Sequence, residues 1–402
     1  MQIPLKVSEK MGKFSEHSVA RMPGDFRELY GYDIDEFITL RSVDGDIVTL
    51  QVMPGLKEDA KEDPLVAYVS ENMFKTLRIT NIQDGIPEVE VVEGITLGCD
   101  PEFFLTDRTG EIVMPSGLFR RLGPIGYDGK MMEIRPAPSI SEHVLVNNMM
   151  GLITQARNSI NAKPAILHYT QQIKPTDISM IAMSNYRGES AGFHLHFGLP
   201  APLVGNMNYN KKLLGRQIIK ALDFYVGIPS IIPEGEMDNL RRTFPTSPYG
   251  KPGNFRFKKT LEYRVPGGYL LRHPVLTKGL IALGAVVVED LVSRIRRCTD
   301  QYANVDIMIP DQTLNLLYPN VPTHEVIYNS IVAKNTLTAE ANMETIMKDI
   351  RSMVGYEKRK CSIEDFFRCI ESKVTYGNNI EINWRGYYHG QRQSGQMDFC
   401  SA

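Results

Sequence analysis

The stretch that decides the fold is Gly-Cys-Asp-Pro-Glu-Phe-Phe-Leu, residues 98–105, a mostly apolar segment that carries two acids. Its composition is typical of a β-strand, and successive side chains of a strand point to opposite faces of the sheet. Asp100 and Glu102 therefore project from the same face. Two neighbouring carboxylates on an apolar strand repel each other and lose solvation, so we expect a cationic partner beside them. Taken alone, an exposed acidic edge at a hairpin explains the pair equally well.

The same spacing of two polar residues recurs on three strand-like segments downstream, as Glu133/Arg135, His194/His196 and Glu262/Arg264. In each pair the polar residues alternate with apolar ones, so each predicted strand has one polar and one apolar face. We expect the apolar faces to pack on helices and the polar faces to share one concave surface. Each pair has a plain alternative: HxH as a chance or hairpin-exposed pair, and ExR as a cross-strand ion pair.

A surface that collects four acids, two imidazoles and two guanidiniums is costly unless divalent cations and an anionic substrate share it. Carboxylates with one or two imidazoles suit Mg²⁺ or Mn²⁺. The planar forks of Arg135 and Arg264 suit phosphate or carboxylate. Metal ligands and arginines on one face are typical of a phosphoryl-transfer site.

A Gly/Pro-rich loop between these strands, residues 241–256, carries Lys251 and three arginines, and we expect it to fold over an anion. The chain contains no Walker A loop and no GxGxxG fingerprint. A P-loop or Rossmann-type nucleotide site is therefore not expected.

Composition excludes several classes of protein. The chain has 402 residues with a net charge of −2, so no global field favours nucleic acid or an anionic membrane. No apolar run is long enough to span a membrane, and the N-terminus does not resemble a signal peptide. Five scattered cysteines without CxxC favour a reducing compartment. We expect a cytoplasmic protein.

The pattern of strands and helices divides the chain into three predicted domains: a small β-rich module over 1–93, a catalytic domain over 94–300 and a helical or loop extension over 301–402. Frequent hairpin patterns and few βαβ patterns predict the α+β class, with an antiparallel sheet and helices on one face. Locally, we expect a hairpin turn at 43–46, a charged loop at 57–63, a strand at 164–169 and a helix over 211–226.

The four strand motifs, in order, resemble a known family. DPEF (100–103), ExRP (133–136), HxHxG (194–198) and ExRxPGG (262–268) are similar to motifs of the phage-encoded amidoligases. The resemblance covers roughly residues 94–295. These are carboxylate–amine ligases with the catalytic fold of glutamine synthetase and glutamate–cysteine ligase. The resemblance implies a partly barrel-like antiparallel sheet, ATP, and two or more Mg²⁺, with Mn²⁺ as an alternative.

The resemblance also implies roles for individual residues. The metal ligands would be Asp100, Glu102, Glu133, His194 and Glu262, with Asp100 standing where the wider superfamily usually has a longer-reaching Glu. The catalytic residues would be Glu102, Glu133, His196 and Arg264, with His196 near the transferred phosphate and Arg264 beside the reacting carboxylate. The candidates for binding the nucleotide are Arg135, Arg241, Arg242, Lys251 and Arg256, most of them assigned by their place in the loop.

The implied reaction transfers the γ-phosphoryl group of ATP to a carboxylate, and an amine then attacks the acyl phosphate. The partners would be a carboxylate and an amine, each a small molecule or peptide, and formation of a homo-oligomer stays open. Two alternatives remain. A metal-dependent hydrolase would use HxH and the acids to activate water but leaves Arg135 and Arg264 without a task. A catalytically inactive binding protein would keep only the fold.

Overall fold

A computed structural model describes the chain at residues 2–8, 19–30, 32, 34, 36–42, 46–79, 86–92, 94–199, 218–244, 247–257, 260–300, 317–333 and 336–394. Residues 43–45 of the predicted turn and 211–217 of the predicted helix lie outside this range. Within it, no helix combines the length and apolar character needed to cross a membrane.

The strands are β1 (Gln2–Val7), β2 (Val19–Met22), β3 (Phe37–Arg41), β4 (Ile47–Pro54), β5 (Ala67–Val69), β6 (Glu88–Val91), β7 (Thr96–Thr106), β8 (Ile125–Asp128), β9 (Met131–Ile134), β10 (Ser179–Ile181), β11 (Asn185–Tyr186), β12 (Glu189–Ser190), β13 (Phe193–Gly198), β14 (Phe255–Phe257) and β15 (Leu261–Tyr263).

The helices are α1 (Gly24–Tyr30), α2 (Lys57–Glu62), α3 (Glu71–Thr76), α4 (Glu142–Asn161), α5 (Pro164–Gln171), α6 (Ile228–Ile231), α7 (Glu236–Thr243), α8 (Pro274–Asp300), α9 (His324–Ile331), α10 (Leu337–Glu340), α11 (Met343–Ile350), α12 (Tyr356–Glu371) and α13 (Ile380–Ser394). A π-helical turn at Asp223–Gly227 runs directly into α6.

The first six strands close into a barrel in the order β1-β5-β2-β4-β3-β6, with β6 paired back to β1. Their alternating apolar residues, among them Leu5, Leu40 and Leu50, fill a core of their own. The expectation of a β-rich N-terminal module is therefore confirmed as a fold, while the domain boundaries at 93 and 300 stay predictions.

The second sheet has seven strands in the order β14-β15-β13-β7-β9-β8, with β10 paired to β7. Every pairing in it is antiparallel. Antiparallel strands joined by hairpins and covered by helices on a single face belong to the α+β class. The predicted fold class is confirmed.

Helix α8 covers the apolar face of this sheet. A side chain added at Gly284 of α8 would meet the ring of Phe197 at 2.8 Å and Leu195 at 3.1 Å, so the helix backbone lies almost against β13. Leu195 and Phe197 alternate with His194 and His196 along the strand, so the two imidazoles point to the opposite face. The predicted division into an apolar helix-packed face and a polar face is correct for this strand.

Two local predictions were wrong. Residues 57–62 form helix α2 rather than a loop, because Asp59 caps its first turn by accepting the backbone N–H of Leu56 at 2.9 Å. Residues 164–171 form helix α5 rather than a strand. Pro164 occupies its first position, where a missing N–H costs nothing, and Leu167 is fully buried.

Within the predicted helical or loop extension, residues 380–394 form helix α13. Trp384 on this helix is fully buried, and its indole N–H donates to the Leu271 carbonyl at 2.8 Å. This contact ties the helix to the segment that precedes α8. Cys361 is disulfide-bonded, which the scattered cysteines did not predict.

Candidate active site

The register of the sheet brings the four polar pairs side by side. Asp100 on β7 lies opposite His194 on β13, and His196 lies opposite Glu262 on β15. On the other side of β7, Glu102 lies opposite Glu133 on β9. Directly opposed residues on antiparallel strands have Cβ atoms about 5 Å apart. The predicted common polar surface therefore exists.

Asp100 is the centre of this surface. Its Oδ1 atom lies 3.1 Å from Nδ1 of His194 and 3.2 Å from Nε2 of His196. Asp100, His196 and Glu262 each offer a ligand atom within 4.8 Å of the others. Oδ1 of Asp100 and Nδ1 of His194 are buried, and neither has a well-aligned hydrogen-bond partner among the described residues. Two buried polar atoms turned toward the same small volume fit a bound cation.

Glu102 and Glu133 form the second half of the acid cluster. Glu102 accepts the backbone N–H of Gly192 at 2.6 Å, which fixes its carboxylate against the turn before β13. Glu133 pairs with Arg135, whose second nitrogen donates to the Gly123 carbonyl at 2.9 Å. Arg135 is thus held beside the acids and has about a third of its side chain exposed.

Glu262 forms the opposite edge of the cluster with two arginines. Its Oε1 atom accepts from Arg256 at 2.6 Å and lies 3.1 Å from Nε of Arg264. The guanidinium of Arg264 stacks over the ring of Tyr249, 5.8 Å from its centroid. The side chain of Arg256 is 45% exposed and that of Arg264 is 20% exposed, so both are accessible from the polar face.

The pKa values of the acids diverge. Burial alone would raise the pKa of Asp100, but the two neighbouring imidazoles outweigh it and hold this pKa well below its usual range. Burial and the charges of Asp100 and Glu102 raise the pKa of Glu133 to about 8, against the opposing effect of Arg135. Burial also raises the pKa of Glu102. Without a cation, one acid is therefore strongly ionised while a second binds a proton at neutral pH, which suits an exchange of protons for metal.

The basic residues of the 241–256 loop separate into two groups. Arg256 on β14 is exposed, and Lys251 in the loop before it is half-buried. Arg241 is 1% exposed and Arg242 is fully buried, where it pairs with Glu234. All four were assigned as nucleotide-binding candidates by their place in the loop, but helix α7 buries Arg241 and Arg242 beneath it.

Three further residues support the site and were missed in the sequence. Thr260 Oγ1 lies 3.1 Å from Nδ1 of His196 and orients the ring. Gly192, described above, precedes the HxH strand. Asp223 accepts the Gly253 N–H at 2.7 Å and the Tyr263 hydroxyl at 3.0 Å. An acid inside the apolar run Ala-Leu-Asp-Phe-Tyr-Val was a detectable sign, because buried acids need partners.

Comparison with solved structures gives only distant likeness. The chain is similar to a bifunctional glutathione synthetase from Pasteurella multocida (10% identity, TM-score 0.32, covering 70% of this chain and 52% of that one). It therefore spans about half the length of that protein. It is also similar to GmaS in its ligand-free form (13% identity, TM-score 0.39, covering 75% and 72%). A third likeness is to a glutamine synthase homolog (11% identity, TM-score 0.29, covering 69% and 70%). No curated protein sequence matches.

The family comparison is more direct. The model of the phage phiEco32-like COOH.NH2 ligase-type 2 family matches residues 97–307, slightly more than half of the chain. The match contains all four strands that carry the polar pairs, and it confirms the resemblance drawn from the motifs. The chain belongs to the phage phiEco32-like family of carboxylate–amine ligases.

Proposed function

We propose that this protein is an ATP- and Mg²⁺-dependent ligase that joins a carboxylate to an amine through an acyl phosphate. The observation that carries the proposal is the cluster of Asp100, His194, His196 and Glu262 with two arginines at its edge. Cation ligands beside guanidiniums match what a phosphoryl-transfer reaction requires.

The acid cluster fits a divalent cation. The ligands would be Asp100, Glu102, Glu133, His194 and Glu262, a set of hard oxygens with one imidazole that suits Mg²⁺ or Mn²⁺. The supporting observation is the pair of buried, poorly partnered atoms on Asp100 and His194. A bound Mg²⁺ would neutralise the phosphate charge during transfer.

The basic residues that would bind anions lie at two opposite edges of the acid cluster. Lys251 in the loop before β14 and Arg256 on β14 would contact the nucleotide phosphates. Arg264 would hold the substrate carboxylate in a bidentate geometry. Arg135 lies three strand spacings away from the strand of Glu262, about 14 Å, and would meet an anion at the far edge. Arg241 and Arg242 are too deeply buried to be included here.

In the proposed reaction the carboxylate oxygen attacks the γ-phosphorus of ATP, the bond to the β-phosphate oxygen breaks, and ADP leaves. The amine then attacks the acyl carbon and expels inorganic phosphate, and an acid of the cluster accepts the proton lost by nitrogen. His196 would face the transferred phosphoryl group. No protein nucleophile is needed. The nearby Cys99 thiol is buried, and this burial raises its pKa well above its usual value.

The test is to supply Mg·ATP with hydroxylamine and the L-amino acids as carboxylate probes. The expected products are ADP, phosphate and a hydroxamate. Arg264→Ala should reduce hydroxamate formation by ~100-fold while changing ATP affinity far less, because a lost charged hydrogen bond to the reacting group costs up to about 3 kcal/mol. Arg351→Ala, which removes an exposed arginine paired with Glu364, is the matched control.

Two results would contradict the proposal. Hydrolysis of peptides or esters by the metal-loaded protein without nucleotide would support the hydrolase alternative instead. Release of AMP and pyrophosphate would exclude the acyl-phosphate route, since that route breaks the bond between the β and γ phosphates.

A further inference from the structure

Arg241 is an arginine whose side chain is enclosed by the protein directly behind the site. It lies on helix α7 and is only 1% exposed. Its two terminal nitrogens donate to consecutive backbone carbonyls, Nη1 to Val265 at 2.7 Å and Nη2 to Arg264 at 3.1 Å. The guanidinium thus binds the backbone at Arg264, the residue whose side chain faces the polar surface.

Two glycines make room for this guanidinium. A Cβ on Gly192 would lie 2.9 Å from Nη2, and a Cβ on Gly250 would lie 2.5 Å from Nη1. Gly250 also has a φ of +71°, a conformation that other residues rarely adopt. Gly192 is the residue whose N–H holds Glu102. One side chain therefore contacts three segments: the end of β15, the turn before β13 and the 247–254 loop.

The charge of Arg241 also reaches the acid cluster. Burial lowers the pKa of Arg241 to about 10, with Glu102 and Glu234 opposing that change, so the group stays charged at neutral pH. The neighbouring Arg242 has different hydrogen-bond partners. It donates to the side chains of Glu234 and Asn239 and not to the backbone of the site.

We propose that Arg241 is a positioning residue that sets the backbone of Arg264 and Val265 against the Gly192 turn, and thereby aims Arg264 at its ligand. This proposal depends on the proposed function in one point only, namely that the ligand of Arg264 is the substrate carboxylate. A planar fork can bridge two consecutive carbonyls, whereas an ammonium group on a flexible stem cannot hold both in the same plane. Arg241→Lys therefore keeps the positive charge and removes the paired hydrogen bonds to the two carbonyls.

The first measurement does not depend on activity. The Arg264 N–H donates to the Asn254 carbonyl at 3.0 Å, so its hydrogen exchange reports how firmly the end of β15 is held. In Arg241→Lys this amide should exchange at least tenfold faster than in the parent. The control is Arg359→Lys, which alters an equally buried arginine bound to Glu289 and the Ile140 carbonyl on the helical side. That variant should leave exchange at Arg264 unchanged.

The second measurement concerns the ligand of Arg264. With hydroxylamine and the amino-acid probes, Arg241→Lys should raise the KM for the carboxylate about tenfold, while affinity for Mg·AMP-PNP stays within about twofold of the parent. A tenfold change in KM corresponds to about 1.4 kcal/mol. Arg359→Lys should change neither value.

The outcomes separate the two proposals. If the Arg264 amide exchanges less than tenfold faster in Arg241→Lys, the positioning role is overturned whatever the activity. The same holds if Arg359→Lys accelerates exchange of the Arg264 amide equally. Faster exchange in a protein whose parent forms no hydroxamate supports the positioning role and counts against the proposed function. If Arg241→Lys does not fold, Gly250→Ala displaces the same guanidinium and should produce the same local increase in exchange.

Discussion

Asp223 is a buried carboxyl that connects the 247–254 loop to strand β15. The substitution Asp223→Asn tests whether the charge of this carboxyl destabilises the protein. The side chain is 2% exposed and accepts the Gly253 N–H and the Tyr263 hydroxyl. Burial raises its pKa from 3.8 to about 7, although these two donors act in the opposite direction. The 247–254 loop, which contains Gly253, carries Lys251 and leads into Arg256 on β14, so this anchor lies beneath residues of the proposed site.

The magnitude follows from the two pKa values. The folded state binds the proton more tightly than the unfolded state, so stability from this group is fully present below pH 3.8 and is lost as the pH rises to about 7. A difference of about three units corresponds to at most ~4 kcal/mol. Asparagine carries no charge, but it leaves the Tyr263 hydroxyl without its acceptor, which costs ~1 kcal/mol. The variant should be ~1 kcal/mol less stable at pH 4 and ~2–3 kcal/mol more stable at pH 8.

Urea denaturation of both proteins on a pH series from 4 to 8 measures this difference. The parent on the same series is the control, because the contributions of other titrating groups cancel in the difference. A variant that is less stable than the parent by the same amount at pH 4 and pH 8 would refute the reasoning. In that case the two hydrogen-bond donors, and not burial, would determine the pKa of the Asp223 carboxyl.

Two further substitutions test the acid cluster and the backbone around it, and a third, on α4, is the control for the second. Glu262→Gln should weaken binding of Mg·AMP-PNP at least ~tenfold in calorimetry, because a cation ligand is lost; unchanged affinity would place the cation elsewhere. Gly268→Ala brings a Cβ within 2.7 and 2.9 Å of two backbone carbonyls and should lower the free energy of unfolding by ~1–3 kcal/mol. Gly151→Ala, in open space on α4, should instead raise it by ~0.5–1 kcal/mol, and equal effects at the two glycines would contradict the packing argument.

Strand periodicity was sufficient to predict the common polar face, because the side-chain period of a strand is two and register must preserve the buried face. The sequence alone therefore predicts that Asp100 and His194 share one face of the sheet. The apolar alternation of Leu195 and Phe197 likewise predicted where the helices pack. These features depend on local patterns that the chain repeats on each strand.

What periodicity could not predict were features fixed by tertiary contacts. Arg241 precedes a Gly/Pro-rich loop, a context typical of exposed basic residues, and only the fold reveals the two carbonyls behind it. Residues 164–171 are apolar enough for a strand, and their helical state depends on Pro164 at the first position and on Leu167 reaching the core. Propensity over eight residues is too weak to decide between these states.

The closed N-terminal barrel limits how another chain can bind to it. Each of its six strands is hydrogen-bonded to a neighbour on both sides, so none of them is an edge strand. An extended peptide or an exchanged strand therefore has no open edge to join. Recognition by this module must use side chains on its outer surface or its connecting loops, and single substitutions there should alter binding without opening the barrel.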